Sequence, residues 1–271
     1  MAVPIWTVDA FTDRPFRGNP AAVCILQQPA TPDWMQAVAG EMNLAETAFL
    51  WPLADGYSLR WFTPTVEVAL CGHATLASAH VLWSAGFVPP EQQARFQTAS
   101  GLLTADRKGE WIDLDFPAEP AAPVAILPPE LAASLHLPVH FLGKNRMDYL
   151  IVTDAESTVR ALTPNMAVLQ TLQARGTIVT APASTPGFDF VSRFFAPGAG
   201  VAEDPVTGSA HCCLGPYWQH RLSKSDFMAL QVSARSGVVR VGVRDNRIRL
   251  GGQAVLLFRG ELLHDPVPLG S

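Results

Sequence analysis

Two stretches of the sequence put a glycine and a small residue at the mouth of an apolar helical segment: Gly72-His73-Ala74 and Gly208-Ser209-Ala210. The backbone N–H groups of a first helical turn have no partner within their helix, and the macrodipole adds partial positive charge there. Small residues let a ligand reach those donors. Two such ends facing each other across a domain cleft would hold the carboxylates of a small acid. His73 reads equally as a first-turn hydrogen-bonding group. Asp204, in Glu203-Asp204-Pro205-Val206-Thr207-Gly208-Ser209, reads equally as a turn or capping aspartate. Both would flank one ligand if the two helix starts converge. Glu46 lies in the apolar, strand-like stretch Asn43 to Leu50. A carboxylate drawn into an apolar cleft has its pKa raised towards the range where it both takes and returns a proton near neutrality. The plainer reading is a surface glutamate on a strand edge.

The elements that must position these residues can be read from pattern. Val3, Ile5 and Thr7 alternate with Trp6 and Val8, and Ala22 to Leu26, Tyr57 to Phe62, Phe96 to Thr104 and Trp111 to Phe116 look like further strands. Later strands are expected at Tyr149 to Thr153, Thr177 to Thr180 and Phe188 to Phe195, followed by a hairpin turning at Asp245-Asn246. Helices are expected over Pro32 to Met42 (capped by Thr31, stopped at Asn43), Gly72 to Ala85, Pro129 to Leu135, Pro164 to Ala174 and Ser209 to Leu222, with Pro216 kinking or shortening the last. The prolines at 117, 120, 123, 128 and 129 mark an extended connector near mid-chain.

The pattern repeats. Arg60-Trp-Phe-Thr-Pro64 returns as Arg193-Phe-Phe-Ala-Pro197, 133 residues on. The glycine-opened helices at Gly72 and Gly208, and the segments from Gly101 and Gly237, are each 136 residues apart, about half of the 271-residue chain. Each half runs strand, proline turn, glycine-opened helix, strand, charged turn, strand. One domain design used twice is the better reading.

Cys71 precedes a helix-opening glycine, where a thiol's pKa can be lowered. A two-base racemase would want a second thiol at the repeat-equivalent position, which is Thr207. Cys212 and Cys213 read as small core residues within a helix. Cys71, His73, His211 and Cys212 lack the paired spacing of a metal site, so no metal is expected. No G-x-G-x-x-G, P-loop or G-x-S-x-G motif occurs. A net charge of −5 gives no reason to expect nucleic acid or an anionic membrane. No apolar run reaches the roughly 18 residues of a membrane span, and the first six residues do not form a signal peptide. Four cysteines, two adjacent and two far apart, form no disulfide framework and suit a reducing cytoplasm.

Several strings together resemble the phenazine-biosynthesis PhzF-like family. They are Asp9-Ala-Phe-Thr, Gly18-Asn19-Pro20-Ala-Ala-Val, Met42-Asn-Leu-Ala-Glu46-Thr, Arg60-Trp-Phe-Thr-Pro64 with Glu67, Leu70-Cys-Gly-His73-Ala, and Glu203-Asp-Pro-Val-Thr-Gly-Ser-Ala-His211. The likeness spans nearly the whole chain in order. It implies an α+β, diaminopimelate epimerase-like fold: two pseudo-symmetric domains, each a curved, mostly antiparallel sheet around a central helix, with the active site between them. The expected domains are 1–117 and 118–271, the last strand being free to pack on the first domain. The resemblance further implies that Glu46 shuttles a proton and that His73 and Asp204 contact the substrate. Asn19, Gly72, Thr207, Gly208 and Ser209 would bind it. Related epimerases use two cysteines; Cys71 matches the first, and Thr207 stands where the second would be. The implied activity is a cofactor-independent isomerisation of a small unsaturated or cyclic amino-acid-like carboxylate, carried out by a homodimer without metal, nucleotide or flavin. The alternatives are an epimerase or racemase using Glu46 with Cys71, and a non-catalytic small-acid-binding protein.

Overall fold

The computed structural model describes residues 2–266. The described residues up to Asp115, together with those from Gly251, form one compact unit, and Phe116–Leu250 form another. The first contains β1 (Val3–Ala10), β2 (Asn19–Ile25), β3 (Glu46–Leu53), β4 (Gly56–Phe62), the two-residue β5 (Glu67–Val68), β6 (Ala94–Thr98), β7 (Gly101–Lys108) and β8 (Trp111–Pro117). β1/β2, β3/β4, β6/β7 and β7/β8 pair antiparallel, whereas β2/β3 and β4/β6 pair parallel. A parallel pair cannot be closed by a hairpin, and each one here is bridged by a helix. α1 (Pro32–Met42) joins β2 to β3, and α2 (Gly72–Ser84) lies between β5 and β6.

The second unit repeats this wiring. Its strands are β9 (Ala122–Pro123), β10 (Phe141–Lys144), β11 (Asp148–Val152), β12 (Gly176–Pro182), β13 (Phe190–Ala196), β14 (Val201–Asp204), β15 (Asp226–Gln231), β16 (Gly237–Arg244) and β17 (Arg247–Gly252). β10/β11, β12/β13 and β15/β16 are antiparallel; β11/β12 and β13/β15 are parallel. α3 (Pro129–Leu135) precedes β10, α4 (Glu156–Ala161) and α5 (Met166–Leu169) bridge β11 to β12, and α6 (Gly208–Leu222) bridges β13 to β15. The 136-residue periodicity is thus a repeat of strand order and of parallel steps. β18 (Ala254–Leu262) then pairs antiparallel with β1, as β9 does with β10.

Local rules account for most elements. Thr31 accepts from the Trp34 N–H, Pro32 takes the first helical position, and Asn43 ends α1 at φ 49° in the left-handed region. α2 has no polar face: His73 through Ala79 are all buried, as are Val81 to Trp83, and it packs against β1, β2, β3 and β18. That is the pattern of a central helix.

Three expectations are corrected. The single strand over Phe96 to Thr104 is a hairpin, β6 and β7, turned at Gly101 with φ 97°. The helix over Pro164 to Ala174 shrinks to α5, because Thr171 and Leu172 bond back three residues and Arg175 N–H leaves to Met147 O. The unanticipated α4 precedes it. Pro216 does not shorten α6. It leaves the Cys212 carbonyl without its helical donor, and the Glu119 N–H, from the proline-rich connector, fills that role at 3.0 Å.

Gly252 seats α2. A methyl group there would overlap the Phe11 ring and stand 2.7 Å from Leu76 Cδ1. Gly252→Ala is expected to lower unfolding free energy by about 1–3 kcal/mol, read from urea denaturation, with no change in secondary structure content.

Candidate active site

In the first unit, three element starts meet. β2 and β3 run parallel with Ala21 opposite Glu46, so Asn19 and Glu46 both stand at the N-terminal ends of adjacent strands. α2 begins beside them, with Cys71 at its N-cap and no side chain capping the first turn. The His73 imidazole joins all three. Its Nε2 lies 3.1 Å from Glu46 Oε2, and its Nδ1 lies 3.1 Å from Asn19 Nδ2 and 3.6 Å from Cys71 Sγ. The His73 and Glu46 side chains are only 6% and 18% exposed. Their approach lies off the hydrogen-bond direction, so neither Glu46 Oε2 nor His73 Nε2 has an aligned partner and charge holds the pair.

Burial by itself weakens the hold of His73 on a proton. Charge on the Cys71 sulfur and on the Glu46 carboxylate opposes that effect and raises its pKa above the usual histidine value; with Cys71 in its neutral thiol form, the Glu46 carboxylate is the charge that remains to do so. With the amide nitrogen of Asn19 turned towards Nδ1, the neutral ring keeps its proton on Nε2, facing Glu46; a charged ring requires the amide to turn its oxygen inward. Cys71 behaves in the opposite way. Burial and then Glu46 push its thiol up against the pull of His73, so it remains a neutral thiol. Ligand-type atoms of Glu46, Cys71 and His73 lie within 4.8 Å of one another, a grouping that sequence spacing did not suggest.

In the second unit, α6 also starts without a side-chain cap. Its N-cap Thr207 is tied elsewhere: Oγ1 donates to Asp204 Oδ2 at 2.6 Å, and the N–H donates to Gln231 Oε1 at 2.9 Å. Gln231 Nε2 in turn donates to the Asp204 carbonyl at 2.7 Å. Gly208 is buried and Ser209 half-buried at the first turn, where Ser209 Oγ accepts from Arg175 Nη2 at 3.0 Å. His211 donates through Nδ1 to the Thr207 carbonyl at 2.8 Å and stacks on Phe190. Burial drops its pKa to about 4, which makes it a neutral structural group.

The sequence motifs therefore bring Asn19, Glu46, Gly72 and His73 together in one unit, and Asp204, Thr207, Gly208 and Ser209 together in the other. Gln231, Arg175 and Asp148 join the second group without any sequence signal. Only the pairing of β11 with β12 and the position of β15 bring them there.

The family profile described as phenazine biosynthesis-like protein matches residues 8–260. An uncharacterized isomerase of Halalkalibacterium halodurans is 53% identical over 263 residues, covering 97% of this chain and 99% of that one. A crystal structure of a phenazine biosynthesis protein of the PhzF family from Enterococcus faecalis superposes with a TM-score of 0.93 at 42% identity, covering 97% and 100% of the two chains. A probable proline racemase from Agrobacterium radiobacter shares the fold alone, with a TM-score of 0.66 at 13% identity over 97% and 94%.

The raised His73 pKa carries a sign. Its protonated form stabilises the folded chain at pH values below the unfolded histidine value, and that contribution is lost as pH rises through the higher folded value. The stability difference between the wild type and His73→Asn, measured by denaturant titration at several pH values, should shrink on going from acid to alkaline solution. A difference that grows instead would contradict the protonated pairing with Glu46.

Proposed function

The chain belongs to the phenazine biosynthesis-like protein family, and from that premise we propose that it is a cofactor-independent isomerase in which Glu46 moves a proton on a small unsaturated or cyclic amino-acid-like carboxylate. One observation carries the reading. The Glu46 and His73 heads face each other at 3.1 Å, buried, with no hydrogen-bond partner among the described residues completing either atom.

Glu46 accepts a proton from a carbon next to a conjugated carbonyl or imine. The electron pair left behind spreads into the adjoining π system, and the same carboxylic acid returns the proton at its far end. One C–H bond breaks and one forms while the double bond shifts, so atoms and electrons balance without an oxidant or reductant. His73, held positively charged, orients the Glu46 head before transfer. The uncapped starts of α2 and α6, at Gly72 and Gly208-Ser209, suit the substrate's carboxylate. Within the first unit Asn19 sets the His73 ring, and within the second Asp204 sets Thr207. No described helix is long and apolar enough to cross a membrane, and the reading takes the enzyme as a cytoplasmic homodimer.

An epimerase using Glu46 with Cys71 needs a thiol that gives up its proton, which burial of Cys71 opposes. A non-catalytic binder would bind the acid without exchanging its protons. A thermal-shift screen of unsaturated and cyclic amino acids, followed by NMR of the binders in deuterated water, separates the three. Isomerisation with deuterium entering at a second carbon is expected. Glu46→Gln should lower that rate by about 10²–10⁴-fold while binding persists; full activity in that variant overturns the shuttle.

A further inference from the structure

The second unit holds a buried ion pair that the proposed proton transfer does not use. Asp148, the first residue of β11, is fully buried. β11 and β12 run parallel with Asp148 opposite Gly176, which brings the preceding residue, Arg175, alongside it. Arg175 Nε donates to Asp148 Oδ1 at 2.9 Å, and Nη2 donates both to Asp148 Oδ2 and to Ser209 Oγ. The guanidinium lies over the Phe194 ring at 5.3 Å, and that ring occupies space that a side chain on residue 176 would fill. Strand register, a buried carboxylate and an aromatic face together fix one direction for Arg175. Its side chain remains 35% exposed, so the pair is not sealed away.

Fixing that direction decides what Ser209 can do. A hydroxyl has one proton to give and lone pairs to accept with. Once Ser209 Oγ accepts from a guanidinium, its own proton is free to point elsewhere, and the hydroxyl acts as a donor. It stands on the first turn of an uncapped helix, whose N–H groups are donors too. Donors alone, with a cation behind them, match an acceptor-only oxygen pair and reject an amide, whose NH₂ would face them. Asp148 offsets the Arg175 charge, so what remains is mainly orientation. The first unit holds the contrast: there the carboxylate Glu46 begins β3, and the first helical turn carries His73 where the second carries Ser209.

We infer that Arg175, braced by Asp148 and Phe194, is a positioning residue that makes Ser209 a hydrogen-bond donor and gives the start of α6 its selectivity for a substrate carboxylate over the matching carboxamide. This rests on the isomerase reading for its substrate, but its test does not depend on turnover.

The probes are 3,4-dehydroproline and cyclohex-1-ene-1-carboxylate, each paired with its carboxamide and titrated into the full-length chain by calorimetry. The wild type should bind a carboxylate at least about tenfold more tightly than its amide. Ser209→Ala leaves the ion pair intact, and Arg175→Lys keeps a cation beside Asp148. Each should weaken carboxylate binding by about 10–100-fold, the scale of a charge-assisted hydrogen bond, and narrow the acid–amide gap. The double variant Arg175→Gln with Asp148→Asn removes both charges together, leaving neither one buried alone, and should lose the preference. Equal affinity for acid and amide in the wild type, no carboxylate binding at all, or variants that keep the wild-type preference would each overturn the inference. Glu46→Gln keeps the two readings apart: its full activity sinks the shuttle, and its unchanged carboxylate preference leaves the Arg175 assignment standing.

Discussion

A helix surrounded by sheet brings the unpaired N–H groups of its first turn to a place where water does not freely reach them, and something must meet those donors. Neither α2 nor α6 meets them with a capping side chain. Cys71 is a poor cap, and Thr207, which could cap, gives its hydroxyl to Asp204. Both first turns are therefore left without a side-chain cap. The parallel steps β2/β3 and β11/β12 bring polar residues to the same strand ends, and the glycines at 72 and 208 leave the approach free.

Built twice, the same frame carries a carboxylate and a cation each time, but of different kinds. In the first unit the strand starts hold Asn19 and Glu46, and the helix start holds His73. In the second, Asp148 lies at a strand start, Arg175 just before the next, and Ser209 on the helix. The cation beside the carboxylate in one copy is an imidazole, which can change its protonation state; in the other it is a guanidinium, which does not. A mobile proton and a fixed charge are different instruments. Dividing them between two copies of one scaffold explains why the repeat is clear in backbone and faint in side chains.

That division also marks what the sequence could tell. The repeat, the glycine-opened helices and α1 with its Thr31 and Asn43 ends were legible because each rests on residues close together in the chain. The grouping of Glu46 with His73 came through the family motifs rather than through spacing. Arg175, Asp148 and Gln231 carried no signal, since a one-residue change in strand register would send each to another partner. Pro216 misled for a related reason. The rule that a proline breaks a helix is local, whereas the donor that repairs this one, Glu119, comes from almost a hundred residues away.

The two N-cap positions bear on the chemistry itself. Thr207 donates through both its hydroxyl and its N–H, into a network with Asp204 and Gln231 that a thiol, weak as donor and acceptor, could not support. The second unit is thereby committed to geometry and has no proton carrier at that position. Cys71 keeps its proton through burial, so the first unit is left with the Glu46 and His73 pair. In the proposed reaction a proton removed by Glu46 then has one base to return from. Removal and return must use the same carboxylate and the same face of the substrate, which favours migration of a double bond over inversion at a carbon centre. Inversion needs a second base on the opposite face, and the burial that keeps the proton on Cys71 argues against the thiol beside Glu46 as that base.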